Sequence, residues 1–179
     1  MKFMNDNITH NKKIILITGG QRSGKSELSE RIALQESPEP VYLATARVLD
    51  DEFRERVNIH QQRRGPQWTN IEEPVRLSDH SMSGRVILVD CVTMWATNVF
   101  FDNGEDVKSS LEILKAEFDK FTEPAGVYIF VSNEIGSGVV GGDPLTRKFT
   151  DLQGWLNQYI ASRATEVYLT VAGIPVKIK

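Results

Sequence analysis

The sequence predicts a three-layer α/β fold, a mostly parallel sheet flanked by helices. Three observations carry that expectation. Short apolar runs of strand length recur along the 179 residues. Segments whose apolar residues fall at helical spacing separate most of these runs. The first run leads directly into a glycine-rich turn and the start of a helix. Strands that alternate with helices pair in parallel, because a parallel crossover needs the long connection that a helix supplies.

The strand-like runs are Ile14–Thr18, Val41–Thr45, Val86–Asp90, Val127–Ser132 and Val167–Val171. Ile174–Ile178 reads as a last strand, and Pro175, which lacks an N–H, suits a sheet edge better than its centre. After the first strand, Leu28 and Ile32 fall four apart. Val92 to Phe100 reads as a helix after the third run. Val107, Leu111, Leu114, Phe118 and Phe121 form one helical stripe, and Leu145, Phe149, Leu152, Leu156 and Tyr159 form another. Both stripes read as core. A further helix is expected over Asp50 to Arg64. Asp50, Asp51 and Glu52 load its start with the negative charge a helix N-terminus favours, and Gly65-Pro66 stops it. Leu49, Phe53 and Val57 fall four apart there, and His60 continues that side.

Bulk properties narrow the function classes. Apolar content of 40% and charged content of 25% are ordinary for a soluble globular protein. A net charge of −3 carries no electrostatic footprint for nucleic acid. Cys91 is the single cysteine, so no internal disulfide forms, which suits a reducing cytoplasm. No apolar stretch approaches membrane-span length. Residues 1–12 are polar and lack the apolar centre of a secretory signal, so they read as a short extension before one domain over 13–179.

The chemistry begins at Gly19-Gly20-Gln21-Arg22-Ser23-Gly24-Lys25-Ser26, which fits the G-x-x-x-x-G-K-[ST] phosphate loop. Its glycines let backbone N–H groups turn toward one anion. Lys25 adds a point charge for the β- and γ-phosphates, Ser26 offers a hydroxyl to Mg²⁺, and the helix that follows aims its positive end at the same spot. Ligands of open α/β sheets collect at the carboxyl ends of strands. Arg85-Val86-Ile87-Leu88-Val89-Asp90 ends there in an acid, as a strand that supports Mg²⁺ does. The bland reading is that Asp90 only caps the next helix. Glu134, at another strand end, reads equally as a base or as a loop acid. A phosphate loop on such a sheet predicts a P-loop NTPase domain of the RecA-like kind. From spacing alone, His60 reads first as a histidine packed beside the core.

Several segments in order carry a resemblance. They are the phosphate loop, Tyr42-Leu43-Ala44-Thr45-Ala46, Asp50-Asp51-Glu52 with Arg56-Val57-Asn58-Ile59-His60, then Trp68 and Glu72. Leu88-Val89-Asp90-Cys91-Val92-Thr93, Val131-Ser132-Asn133-Glu134-Ile135-Gly136 and Gly173-Ile174-Pro175-Val176-Lys177-Ile178 continue it. Together they resemble the bifunctional adenosylcobinamide kinase / adenosylcobinamide-phosphate guanylyltransferase family of cobalamin synthesis.

The resemblance implies two transferase reactions. ATP or GTP phosphorylates the hydroxyl of the aminopropanol arm of adenosylcobinamide. GMP then passes from GTP to that phosphate through a guanylyl-histidine, giving adenosylcobinamide-GDP and pyrophosphate. It implies that His60 carries GMP and that Lys25 and Ser26 serve the phosphates and Mg²⁺. It also implies nucleotide contacts at Ala44, Thr45, Ala46, Gln61, Gln62, Arg63, Arg64, Glu72 and Asp90, and a homotrimer. An imidazole with an ordinary pKa is largely neutral at pH 7 and has the lone pair such chemistry needs. The alternative is a single-activity P-loop kinase with a structural His60. A nucleotide-dependent switch is a further rival, and the absence of Asn-Lys-x-Asp argues against it.

Overall fold

The structure, a computed structural model, describes residues 12–47, 65–138 and 141–179. The helix expected over 50–64, with His60 and Gln61 to Arg64, lies outside the described residues. Seven strands form one sheet: β1 (Lys13–Gly19), β2 (Val41–Ala44), β3 (Thr69–Glu72), β4 (Val86–Asp90), β5 (Val127–Asn133), β6 (Glu166–Val171) and β7 (Ile174–Lys177). The described helices are α1 (Lys25–Glu36), α2 (Val92–Asp102), α3 (Val107–Phe121) and α4 (Pro144–Arg163), with a short 3-10 turn at Leu77–His80. The sheet order is β3-β2-β4-β5-β1-β6-β7, parallel throughout except for β7, which runs antiparallel to β6.

The central strands are buried on both faces, so they read as continuous apolar runs. Their side chains nonetheless sort by the period of two that a pleated strand imposes. Ile14, Leu16, Val41, Leu43, Ile87, Val89, Tyr128 and Phe130 face one core with α2, α3 and α4. Ile15, Ile17, Tyr42, Val86, Leu88, Val127, Ile129 and Val131 face the other, with Leu28 and Ala33 of α1 and with Trp68. The first core is rich in aromatic rings: Phe118 lies 5.1 Å from Phe130 and 6.0 Å from Tyr159, centroid to centroid.

Each strand expected from the sequence is present, with ends that shift by a residue, and the helices expected in the described residues are all there. The strand that sequence reading missed is β3. Its four residues are exposed or half-buried and lack the apolar alternation that marks a strand. It forms because parallel pairing with β2, Val41 with Thr69 through Ala44 with Glu72, satisfies its backbone.

The order of the strands positions a crevice. The chain leaves β1 onto the α1 face, whereas it leaves β4 and β5 onto the opposite face. Because β1 and β5 are neighbours, their carboxyl ends part between them, at the topological switch point where α/β sheets bind ligands.

At the opposite end, Glu166 ties three strands together. Its carboxylate sits 2.8 Å from Lys13 of β1, and it accepts bonds from Tyr168 at 2.6 Å and Lys177 at 3.0 Å. These partners, Lys13 first, hold its pKa at about 2, down from the ordinary 4.5. A carboxyl with a lower pKa folded than unfolded stabilises the fold in its ionised form. That stabilisation is complete above about pH 4.5 and fades as the pH falls toward 2. Glu166→Gln is therefore expected to cost roughly 1–2 kcal/mol at pH 7, with allowance for solvent screening at a partly exposed site. Urea melts at pH 7, 4 and 2.5 check this. A gap between variant and wild type that failed to narrow with falling pH would contradict it.

Candidate functional site

The phosphate loop begins where β1 ends. Gly19 is buried against β6: a side chain there would stand 2.5 Å from the carbonyl oxygen of Thr170 and 2.6 Å from its hydroxyl. Its φ of 151° is also unfavourable for any other residue. The chain then turns through Gly20, Gln21 and Arg22, all exposed, with Arg22 left-handed at φ 57°. The N–H of Ser23 donates to the carbonyl of Gly20 at 3.3 Å, closing the turn. Gly24, left-handed at φ 97°, is the N-cap of α1. Having no side chain, it caps none of the first-turn N–H groups, so those donors are open to an anion.

Lys25 opens the helix with its side chain folded over the loop, and Nζ donates to the carbonyl of Gly20 at 2.6 Å. It is 8% exposed. Burial lowers its pKa, while Cys91 and Asp90 act in the opposite sense. An ammonium has three protons, so it can keep Gly20 and still donate to phosphate oxygens. Ser26, half-buried, follows in the first turn of α1.

Asp90 ends β4, two strands from the phosphate loop. It does not cap α2: the N-cap residue is Cys91, with no side-chain cap bond. The Asp90 carboxylate instead accepts a hydrogen bond from the Tyr42 hydroxyl at 2.9 Å. Tyr42 is held by an edge-to-face contact with Trp68, 6.3 Å between centroids. Thr45, at the end of β2, fixes the chain that leaves Asp90. Its N–H donates to the Asp90 carbonyl at 3.2 Å. Its hydroxyl donates to the Cys91 carbonyl at 2.7 Å and accepts from the Cys91 N–H at 2.8 Å. The Thr45 carbonyl accepts from Asn98 at 2.7 Å. Burial of the Cys91 thiol, followed by the charge of Asp90, pushes its pKa up to about 12, so it is no thiolate nucleophile.

Glu134 reaches the site through its backbone. Its N–H donates to the Gly19 carbonyl at 3.0 Å, which ties the end of β5 to the start of the phosphate loop. Its carboxylate accepts from the Gly136 N–H at 2.7 Å, so the loop-acid role is realised. Asn133 is pinned from both flanking helices, its N–H donating to Thr93 at 3.0 Å and its carbonyl accepting from Asn157 at 3.2 Å.

The structure thus gathers Gly19 to Ser26, Glu134, and the Ala44-Thr45-Ala46 and Asp90 strand ends along one edge of the sheet. Glu72, exposed, pairs in register with Ala44 at the same edge. Sequence reading did not assign a role to Tyr42, Thr93, Asn157 or Thr170. Thr93 and Asn157 are polar residues on helical segments, where only the packed structure shows what they touch. Thr170 lies one residue from the carboxyl end of β6, and that position was the available signal; Tyr42, second of the four residues of β2, offered none.

A buried lysine on a glycine turn, a helix N-terminus behind it and an acid on a nearby strand define a P-loop nucleotide-binding protein. Solved structures agree on the fold. The flagellar accessory protein FlaH of Methanocaldococcus jannaschii aligns with a TM-score of 0.52 at 19% identity, over 94% of this chain and 79% of that one. A prototypical type III secretion system ATPase of pathogenic bacteria aligns with a TM-score of 0.54 at 14% identity, over 93% and 57%. The architecture is accordingly of the P-loop, RecA-like kind.

Residues 15–178 match the cobinamide kinase / cobinamide phosphate guanyltransferase family, and the chain belongs to it. The bifunctional adenosylcobalamin biosynthesis protein CobP of Pseudomonas aeruginosa is 41% identical over 169 residues, 92% of this chain and 96% of that protein. The corresponding CobU proteins of Escherichia coli and Salmonella typhimurium are 37% and 35% identical, each over 93% of this chain and 99% of theirs. The protein is thus an enzyme of the cobinamide kinase / guanylyltransferase class. No described helix is long and apolar enough to cross a membrane.

The Thr45 bonds make a prediction. Thr45→Val keeps the shape but leaves the half-buried Cys91 N–H without its acceptor, so it is expected to cost about 1–3 kcal/mol. An unchanged urea midpoint would refute that role.

Proposed function

We propose that the chain phosphorylates the aminopropanol hydroxyl of adenosylcobinamide and then guanylylates the product, in adenosylcobalamin biosynthesis. The observation that carries this reading is the phosphate loop with Lys25 buried across it, in electrostatic reach of Asp90, in a chain of this family.

In the first reaction the substrate hydroxyl attacks the γ-phosphorus of ATP or GTP, a P–O bond forms, and the nucleoside diphosphate leaves. Lys25 and the loop N–H groups stabilise the charge that gathers on the transferring phosphoryl and the leaving oxygen. In the second, a ring nitrogen of His60 attacks the α-phosphorus of GTP and pyrophosphate departs. The phosphate oxygen of adenosylcobinamide-phosphate then takes the guanylyl group and frees the histidine. The loop, gripping the β- and γ-phosphates, now stabilises the leaving group. The covalent route divides one difficult transfer into two easier ones.

Ser26 and Asp90 supply a hydroxyl and a carboxylate oxygen. Among the described residues no three His, Cys, Asp or Glu side chains cluster as a dedicated metal cage. A hard donor pair without such a cage fits Mg²⁺, which keeps waters and takes phosphate oxygens as its other ligands. When bound, it neutralises phosphate charge. Ala44 to Ala46, Gln61 to Arg64, Glu72 and Asp90 serve the nucleotide in this reading. The enzyme works in the cytoplasm as a homotrimer.

Incubation with α-labelled GTP, then denaturation and peptide mapping, tests the reading. Wild type is expected to retain label on His60. His60→Ala is expected to lose the label and guanylyl transfer while phosphorylation of adenosylcobinamide continues. Lys25→Ala is expected to lose both reactions by about a hundredfold or more. A folded His60→Ala that still guanylylates its substrate would point to a different carrier.

A further inference from the structure

We infer that the β6–β7 hairpin is a clamp that sets the shape of the phosphate loop from outside, with Thr170 as its positioning residue for the triphosphate. This rests on the reading of the loop as the nucleotide site.

The hairpin is built to reach the loop. β6 lies beside β1 in parallel, with Thr170 the register partner of Gly19. Two residues beyond, the chain reverses through Ala172 and Gly173, both left-handed at φ 50° and 81°. A two-residue turn with both central residues left-handed is a tight one that suits the twist of the flanking strands. Its tip lies against Ser23 and Gly24.

Three contacts join tip and loop. The Ser23 hydroxyl lies 2.7 Å from that of Thr170. The Gly173 N–H donates to the Ser23 carbonyl at 3.0 Å. A side chain on Gly24 would stand 3.1 Å from the Cα of Gly173, so the two backbones pack directly. Thr170 also donates to the Thr18 carbonyl at 3.3 Å. That fixes the direction of the chain: Ser23 donates to Thr170, and Thr170 donates to β1. Thr170 is 2% exposed and Ser23 8%, so neither hydroxyl has water as a ready substitute.

The chemistry of an anion cradle explains why this matters. Its N–H groups must point inward and its carbonyls outward, because an inward carbonyl repels phosphate. The Ser23 carbonyl is turned out and held there by Gly173, and the Ser23 side chain is held beside it by Thr170. Turning the Ser23 carbonyl toward the cradle would break the Gly173 bond, and the Thr170 bond holds the rest of the residue in place. Neither Thr170 nor Gly173 need touch the nucleotide to act.

Isothermal titration of the full chain with GTP and with inorganic pyrophosphate tests this, alongside steady-state kinetics. Thr170→Val, which keeps the shape and loses the hydroxyl, is expected to weaken both ligands by about tenfold. KM for GTP is expected to rise by a similar factor, with kcat at saturating GTP within about twofold. Thr170→Ser is expected to stay within about twofold of wild type, since it restores the bond. Ser23→Ala should match Thr170→Val, and the double variant should lose no more than either one. Should Thr170→Val not fold, Ser23→Ala against Thr170→Ser gives the same comparison. Unchanged GTP affinity in these variants, or losses that simply add in the double, would overturn the clamp. A wild-type chain that bound neither GTP nor pyrophosphate would instead overturn the nucleotide reading beneath it.

Discussion

A protein of net charge −3 that holds a polyanion must make its positive field locally. That constraint organises the molecule. The field comes from one lysine and from backbone N–H groups that α1 and the glycine turn leave unpaired. Such groups act best when the backbone around them is held rigidly. The buried strand β1 supplies that rigidity, because its neighbours on both sides, β5 and β6, pair with it along almost its whole length. Both neighbours then contribute beyond their pairing. β5 continues into Glu134, whose N–H holds the Gly19 carbonyl, and β6 continues into the turn whose Gly173 holds the Ser23 carbonyl. The two carbonyls that flank the cradle are thus both occupied by N–H donors from the adjacent strands.

The second half of the site is built by a different means. Asp90 is two strands away, so it is aimed through side chains. Tyr42 holds the carboxylate, and Thr45 holds the backbone just beyond it. Tyr42 lies in β2 and Thr45 directly follows it, β2 being the strand that pairs with β4 on the side away from β5. A strand's carboxyl end thus presents the acid, and the next strand orients it. Burial works against charge on Lys25, and the negative carboxylate of Asp90 counters that effect. A phosphate placed between lysine and acid would act on Lys25 in the same direction as Asp90 and more strongly, since it brings more than one negative charge.

Sequence reading found this frame because period and punctuation are local properties. Apolar runs ended by glycine, acid or asparagine mark β1, β4 and β5, and the four-residue spacing of Leu114 and Phe118 marks α3. The loop was legible because glycine and lysine at that spacing have few other uses. β3 was not, because its strand conformation comes from pairing with β2 and leaves no trace in its own alternation. The clamp was not legible either. Ser23 and Thr170 stand 147 residues apart in the chain, and only parallel pairing of β1 with β6 brings them together. A threonine near the end of an apolar run looks like any β-former. The reading of Asp90 as a helix cap yielded to a geometric fact, that the cap position falls one residue later, on Cys91.

The proposed pair of reactions places an unusual demand on such a cradle. Attack at the γ-phosphorus divides the bound tail between two products, whereas attack at the α-phosphorus leaves it whole as pyrophosphate. A loop tuned to a single geometry of developing charge would favour one reaction over the other. A loop that grips the β- and γ-phosphates alike, through backbone donors held from outside, stabilises charge wherever it gathers along the tail. Selectivity between the reactions must then reside in whatever group approaches the nucleotide, a substrate hydroxyl in one case and an imidazole in the other. On this view the rigidity of the β1 surroundings is what lets one anion site serve two chemistries. Their difference is carried by the attacking group and by the phosphorus atom it reaches.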